Sequence, residues 1–217
     1  MSKDYIPFYG SVIKDSFKIE REAMDKAGVV VDYLNRELSN GIILDVGAGN
    51  GFTANKLLTD KRNVVCMEPS EGMIDRNIKN VWVKGTAENM PFHENYFDGG
   101  YSTWAYFLTG VDKKPGLIEF ERVVKHDSKI IIIDNEGDDE FCSFAKEKIS
   151  SERDFYLENG FKHEILHSAF EFNNLEEAQK LMELFFGVDR MKDNIKLKYE
   201  YKIAAYSKIV NKILVEK

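Results

Sequence analysis

Apolar residues along the chain fall into short runs separated by stretches of helical spacing. Residues 42–46, 64–67, 81–84, 97–102 and 130–134 are brief apolar runs with turn-forming residues at their ends. That is the pattern of strands buried on both faces. Between them, residues 52–58, 72–77 and 117–124 carry the spacing of helices. Upstream, residues 15–38 read as one or two helices, with Val29, Val30, Tyr33, Leu34 and Leu38 on one face and Asn40-Gly41 as a stop. Strand–helix alternation predicts an α/β, doubly wound fold: parallel strands joined by right-handed crossovers, with helices on both sheet faces. After Asp134 the pattern changes. An acidic cluster (Glu136, Asp138, Asp139, Glu140) leads into a helix-like run ending near Ile149. Residues 161–172 alternate like a long strand, 175–186 form an amphipathic helix, and 199–209 read as a final strand.

The most informative stretch is IILDVGAGNGFT, residues 42–53, an apolar run that ends in Gly47, Gly49 and Gly51 before a helical segment. Strand, glycine-rich turn and helix is the order by which α/β proteins bring backbone N–H groups against a ligand. The spacing is G-x-G-x-G, and Phe52 stands where a dinucleotide fingerprint places its third glycine. A ligand without a pyrophosphate therefore fits better than NAD.

Glu68 ends the next apolar run, 19 residues after Gly49. An acidic residue at that interval, on a strand tip, is placed to accept from both hydroxyls of a ribose. The competing reading is a solvated turn residue before Pro69. Either way a residue at a strand tip is expected to matter little for folding.

Together these segments resemble a class I S-adenosylmethionine-dependent methyltransferase of the ubiquinone-biosynthesis-like, type 11 small-molecule group. LDVGAGNGFTANKL from Leu44, VVCMEPSEGMI from Val64 and GTAENMPFHENYFDGGYS from Gly85 carry the resemblance, with a weaker match at EFERVVKHDSKIIIID from Glu119. The resemblance implies a mostly parallel seven-stranded sheet with an antiparallel edge hairpin made by the final two strands. It implies that Asp45, Gly47, Ala48, Gly49 and Gly51 surround the methionine part of S-adenosylmethionine, or of the product S-adenosylhomocysteine. Glu68 would hold the ribose beside Pro69 and Ser70. Ala87 would meet the adenine next to Thr86 and Glu88, and Ser102 would close the site. Thr86 stands where the family often has Asp, and a threonine hydroxyl accepts a hydrogen bond without charge. Gly99-Gly100 replaces bulky residues usual in the fourth strand. By the same resemblance, residues 1–40 form a helical segment or lid, 41–217 the domain, and 136–198 the elaboration that shapes a substrate pocket.

Composition adjusts this picture only a little. The chain has 217 residues, enough for one sizeable core, and a net charge of −7. A phosphate-tracking protein normally presents a basic surface, and the lysines from Lys192 to Lys212 are interleaved with acids. A small-molecule acceptor is thus expected over nucleic acid. Neither a signal-like apolar segment at MSKDYIPFYG nor a membrane-length run occurs, so a cytoplasmic location with no membrane partner is the expectation. Cys66 and Cys142 supply no disulfide framework or zinc pattern.

Methyl transfer from a sulfonium asks a protein chiefly to place a nucleophile and exclude water. A general base is optional, and His93, on a loop after the adenine segment, is the candidate. His163 and His167 share a strand face without a carboxylate partner in view, so no metal is expected. Aromatic residues are the better clue to the acceptor. Trp104, Tyr106 and Phe107 follow the fourth strand, and Tyr5, Phe8 and Tyr9 stand where a lid would close. Three function classes stay open: transfer to an O, N or C atom of a small molecule, transfer to RNA or protein, and cofactor binding without transfer.

Overall fold

Ile130, Ile131, Ile132 and Ile133 are all fully buried, alternating between two separate apolar clusters. Such a strand needs helices on both faces, and the remainder of the chain supplies them. The computed structural model describes residues 14–106, 111–146 and 149–211. In chain order the elements are α1 (Lys14–Met24), α2 (Val29–Glu37), β1 (Gly41–Val46), α3 (Phe52–Leu57), β2 (Arg62–Met67), β3 (Val81–Val83), β4 (Gly99–Thr103) and α4 (Lys114–Val123). There follow β5 (Lys129–Asn135), α5 (Glu140–Ser143), α6 (Arg153–Glu158), β6 (Lys162–Glu171), α7 (Leu175–Phe186), α8 (Val188–Met191) and β7 (Lys198–Ile209).

Among the described residues seven strands form one sheet in the order β3-β2-β1-β4-β5-β7-β6. The pairs from β3 to β5 are parallel. β7 runs antiparallel between β5 and β6, pairing Ile132 with Tyr206 on one side and Leu166 with Ile203 on the other. The doubly wound sheet with its antiparallel edge is therefore present. Residues of α1, α2, α3, α5 and α7 cover one face, while α4 and α6 cover the other.

Several local expectations fail for identifiable reasons. No helix forms at 72–77: Met73, Ile74 and Ile78 donate to carbonyls three residues back, and Asp75 takes the Asn77 N–H with its side chain at 2.9 Å. That local bond competes with a helical turn. The helix-like run before Ile149 is only the short α5, capped by Asp139, which accepts from the Cys142 N–H at 2.8 Å. The short helices α6 and α8 carry too few residues for periodicity to reveal them.

The glycine pair of β4 also finds its reason. A Cβ on Gly100 would sit 2.4 Å from a ring carbon of Phe120, and one on Gly99 would sit 3.2 Å from the Lys129 carbonyl oxygen. Helix α4 lies directly on this strand, so a side chain at Gly100 would displace it.

Candidate active site at the carboxyl ends of the parallel strands

The turn after β1 bends through three glycines with positive φ: +73° at Gly47, +56° at Gly49 and +78° at Gly51. Residues with a Cβ adopt such angles at a cost. Space is short as well, since a Cβ on Gly47 would come 2.4 Å from that of Ala105. The turn stands over the tip of β2, where the Glu68 carboxylate ties it down. One Glu68 oxygen accepts from the Gly49 N–H and the other from the Ser70 N–H, each at 2.8 Å. Glu68 is buried, and desolvation pushes its carboxyl up to about 7 against the pull of those two N–H groups.

A cavity of about 780 Å³ opens from this turn. Gly47, Ala48, Gly49, Glu68, Pro69 and Ser70 line one end, beside Gly85, Thr86, Ala87 and Glu88. Thr86 and Ala87 sit in a tight turn closed by the Asn89 N–H on the Thr86 carbonyl at 3.3 Å. The far end is apolar, walled by Phe141, Phe170, Leu184, Phe185 and Phe186 from α5, β6 and α7, with Ile149 from the segment before α6. Between them stand Trp104 and Tyr106, after β4, and a stripe of α1 formed by Phe17, Glu20, Arg21 and Met24. Those four positions repeat at the helical interval, so one face of α1 forms a wall. The volume lies in the upper part of the ~300–1,000 Å³ range of ligand pockets, which leaves room for two molecules end to end.

Arg21 is buried within this wall. It donates to the Thr53 hydroxyl at 2.8 Å and lies 4.4 Å above the Trp104 ring. Trp104 has φ +50°, uncommon for a bulky residue, and its indole N–H donates to the Tyr201 hydroxyl at 2.7 Å. The Trp104 amide also donates to the Ile133 carbonyl at 2.8 Å, which holds the strained turn in place.

A model described as "Methyltransferase domain" matches residues 44–132, spanning the glycine turn, the β2 tip and β4. Over those 89 of the 217 residues the chain is similar to a methyltransferase domain. The biotin biosynthesis bifunctional protein BioHC of Cellvibrio japonicus is 33% identical over 79 residues, which are 34% of this chain. The match spans only 16% of that longer protein. Among solved structures, a Thermotoga maritima protein described as a SAM-dependent methyltransferase superposes with a TM-score of 0.63 at 17% identity, over 94% of this chain and all of its own. The YcgJ protein of Bacillus subtilis gives 0.58 at 16% identity, over 89% of this chain and all of its own. At those identities the two structures speak for the fold alone.

Gly47, Ala48, Gly49, Glu68, Pro69, Thr86, Ala87, Glu88, Trp104 and Tyr106 gather around one cavity. Three expected residues do not line it. Asp45 lies behind the turn because strand parity turns it to the Ile43 face, where it accepts from the Tyr101 hydroxyl at 2.8 Å. Burial raises its carboxyl to about 7. Gly51 starts α3, where a Cβ would meet the Trp82 ring at 3.0 Å. Ser102 is fully buried and donates to the Val46 carbonyl at 2.8 Å, joining β4 to β1.

His93 is exposed and away from the cavity lining. His163 stacks on Tyr206 and bonds to Glu136 at 2.8 Å, so it serves the β6–β7 hairpin. Tyr5, Phe8, Tyr9 and Phe107 lie outside the described residues. Glu20 and Arg21 were missed by the sequence reading, because charged residues at intervals in an amphipathic helix look like its solvated side. The signal available was their adjacency to a run of otherwise apolar stripe positions, Phe17 and Met24.

Among the described residues no helix is long and apolar enough to cross a membrane.

Proposed function

We propose that this chain transfers a methyl group from S-adenosylmethionine to a small-molecule acceptor. The observation that carries the reading is a single cavity joining the glycine turn and Glu68 to an apolar chamber. The residues present fit the cofactor. Both Glu68 oxygens are fixed by backbone donors yet keep a lone pair for a ribose hydroxyl. The glycine turn leaves no side chain over the β1 end, and Thr86 with Ala87 offers backbone polar groups to a base. Arg21 brings a buried guanidinium to the same cavity, suited to a carboxylate.

When bound, S-adenosylmethionine supplies a methyl carbon activated by a sulfonium charge. The chain's own contribution is to bind, orient and keep out water. The face of α1 covers the cavity, while Trp104 and Tyr106 stand between its two ends. In this reading, residues 1–40 act as a cover and the segment 136–198 shapes the acceptor chamber through α5, β6 and α7. The apolar chamber and the acidic net charge of −7 favour a metabolite over RNA. The name of the Cellvibrio relative, from biotin biosynthesis, points the same way.

Titration calorimetry with S-adenosylmethionine, S-adenosylhomocysteine and NAD tests the donor. Tight binding of the two sulfur compounds and none of NAD is expected; the reverse order would reject the reading. A labelled-methyl screen of metabolites, RNA and protein extracts tests the acceptor, with salt-sensitive labelling of RNA alone as the contrary result.

A further inference from the structure

The wall contributed by α1 contains an unusual concentration of buried charge. Arg21 faces the carboxylates of Glu20, Asp25 and Asp45. Two of these acids have internal partners. Asp25 accepts from the Val30 and Val31 N–H groups at 3.0 and 3.2 Å, where α2 begins, and Asp45 accepts from Tyr101. Arg21 is itself engaged by Thr53, by the Met24 sulfur at 3.8 Å and by the Trp104 ring.

Asp45 Oδ1 also has no hydrogen-bond partner among the described residues, but Asp45 stands outside the cavity lining. Glu20 differs in its place on that lining. It is 6% exposed, it lines the cavity, and among the described residues its Oε2 has no hydrogen-bond partner. Glu20 shares the cavity-facing stripe of α1 with Arg21, whose charge acts on it. Burial lifts the Glu20 carboxyl to about 7, with Arg21 opposing the shift. A buried carboxylate left unmatched costs free energy that a ligand can recover.

Around it the cavity is apolar and aromatic. Met24 lies one helical turn beyond Glu20, Phe17 one turn before, and the chamber continues to Phe141, Phe170 and Phe186. Helix α1 packs on both β6 and α7, the elements that bound that chamber. A ligand that completes this arrangement has an apolar body for the aromatic walls and a donor for Glu20 Oε2. A donor bearing positive charge answers a buried carboxylate oxygen more strongly than a neutral one. Aromatic ring faces also accept a cation.

We propose that the acceptor chamber takes an apolar amine, an aryl- or alkylamine, that enters as an ammonium held by the Glu20 carboxylate and passes its proton to that carboxylate to free the nitrogen lone pair as the acceptor. This rests on the methyltransferase reading and names the substrate class for it. A merely structural Glu20 would have its oxygens turned to backbone or solvent, as Asp25 has.

The test is calorimetry on the full chain saturated with S-adenosylhomocysteine, using 2-phenylethylamine, its neutral isostere 2-phenylethanol, and 3-phenylpropionate as probes. The amine should bind at least tenfold more tightly than either of the others. Glu20→Gln should remove that preference while leaving S-adenosylhomocysteine affinity within twofold of the parent. Equal binding of amine and alcohol, or an undiminished preference in Glu20→Gln, overturns the proposal. So does a tenfold loss of S-adenosylhomocysteine affinity in Glu20→Gln, which would assign Glu20 to the donor's amino-acid end. Glu20→Met, of similar volume, repeats the comparison should the glutamine variant fail to fold. If the parent does not bind S-adenosylhomocysteine at all, the methyltransferase reading fails; if it does so but ignores the amine, only this inference fails.

Discussion

Replacing Glu68 by glutamine separates the two tasks this side chain performs. The carboxylate accepts one backbone N–H on each oxygen, from Gly49 and from Ser70. Glutamine keeps the size and one acceptor but turns an NH2 group against the other donor. One buried N–H then lacks a partner, a cost of about 1–3 kcal/mol. Part of it is offset because a carboxylate that burial has raised to about 7 no longer has to be kept in the protein. Lower thermal stability is therefore expected, unlike the near-silence predicted for a residue at an exposed strand tip. In the bound state the variant also loses a charged acceptor for a ribose hydroxyl. That loss is roughly 2–3 kcal/mol, on the order of 30- to 150-fold in Kd.

The pH dependence gives an independent check. Ribose hydroxyls favour the ionised carboxylate, whereas the free protein holds the proton up to about pH 7. Binding below that pH must release the proton, so affinity should rise with pH to about 7 and level off above it. Calorimetry with S-adenosylhomocysteine between pH 5.5 and 8.5 reads both effects. An unchanged Kd in Glu68→Gln, or the same pH slope in parent and variant, refutes the assignment.

Other outcomes follow from the same geometry. Gly100→Ala pushes a methyl into the Phe120 ring and should cost about 1–3 kcal/mol in urea unfolding, less when combined with Phe120→Leu; additive losses would show that the ring is not the obstacle. Asp134 is fully buried with Oδ2 lacking a hydrogen bond among the described residues, and its carboxyl is raised from 3.8 to about 7 by burial. Its favourable share of stability is full below about 3.8 and is lost progressively as pH rises to about 7, so Asp134→Asn should melt higher than the parent at pH 8, by a smaller margin at pH 5, and equally below about 3.8; a difference independent of pH contradicts this. Trp104→Phe keeps a ring beneath Arg21 but drops the bond to Tyr201, so stability should fall by about 0.5–1.5 kcal/mol with S-adenosylhomocysteine affinity within twofold. A tenfold loss of that affinity would mean the indole itself meets the donor.

What could be read in advance depended on how local the signal was. The glycine turn, the acid at the β2 tip and the four isoleucines of β5 each carry their cause within a few neighbouring residues. The bounds of α7 were legible as well, since its apolar stripe runs its full length between Asn174, which caps it, and Gly187. Which cofactor-end residues face the cavity was only partly legible. Asp45 and Ser102 belong to the motif segments, yet strand parity and the packing of neighbours turn them away from the cavity. The roles of Glu20, Arg21 and Gly100 were hidden for one reason: each is fixed by an element distant in sequence, such as Thr53, Trp104 or Phe120. No periodicity records such a pairing.

The position of β7 has a consequence for how the chain is made. It is the strand that closes the gap between β5 and β6, pairing with β6 over residues 198–207 and with β5 over residues 203–209. During synthesis the edge of β5 stays open, and β6 has no partner in the sheet, until residues 198–209 have emerged. The residues of the glycine turn and the β2 tip are present by then, and so are Phe141, Phe170 and Phe186 of the apolar wall, but β6, which carries Phe170, still lacks the strand that seats it in the sheet. A ribosome stalled ahead of Lys198 would therefore hold a glycine turn and an unseated apolar wall beside an exposed isoleucine-rich edge.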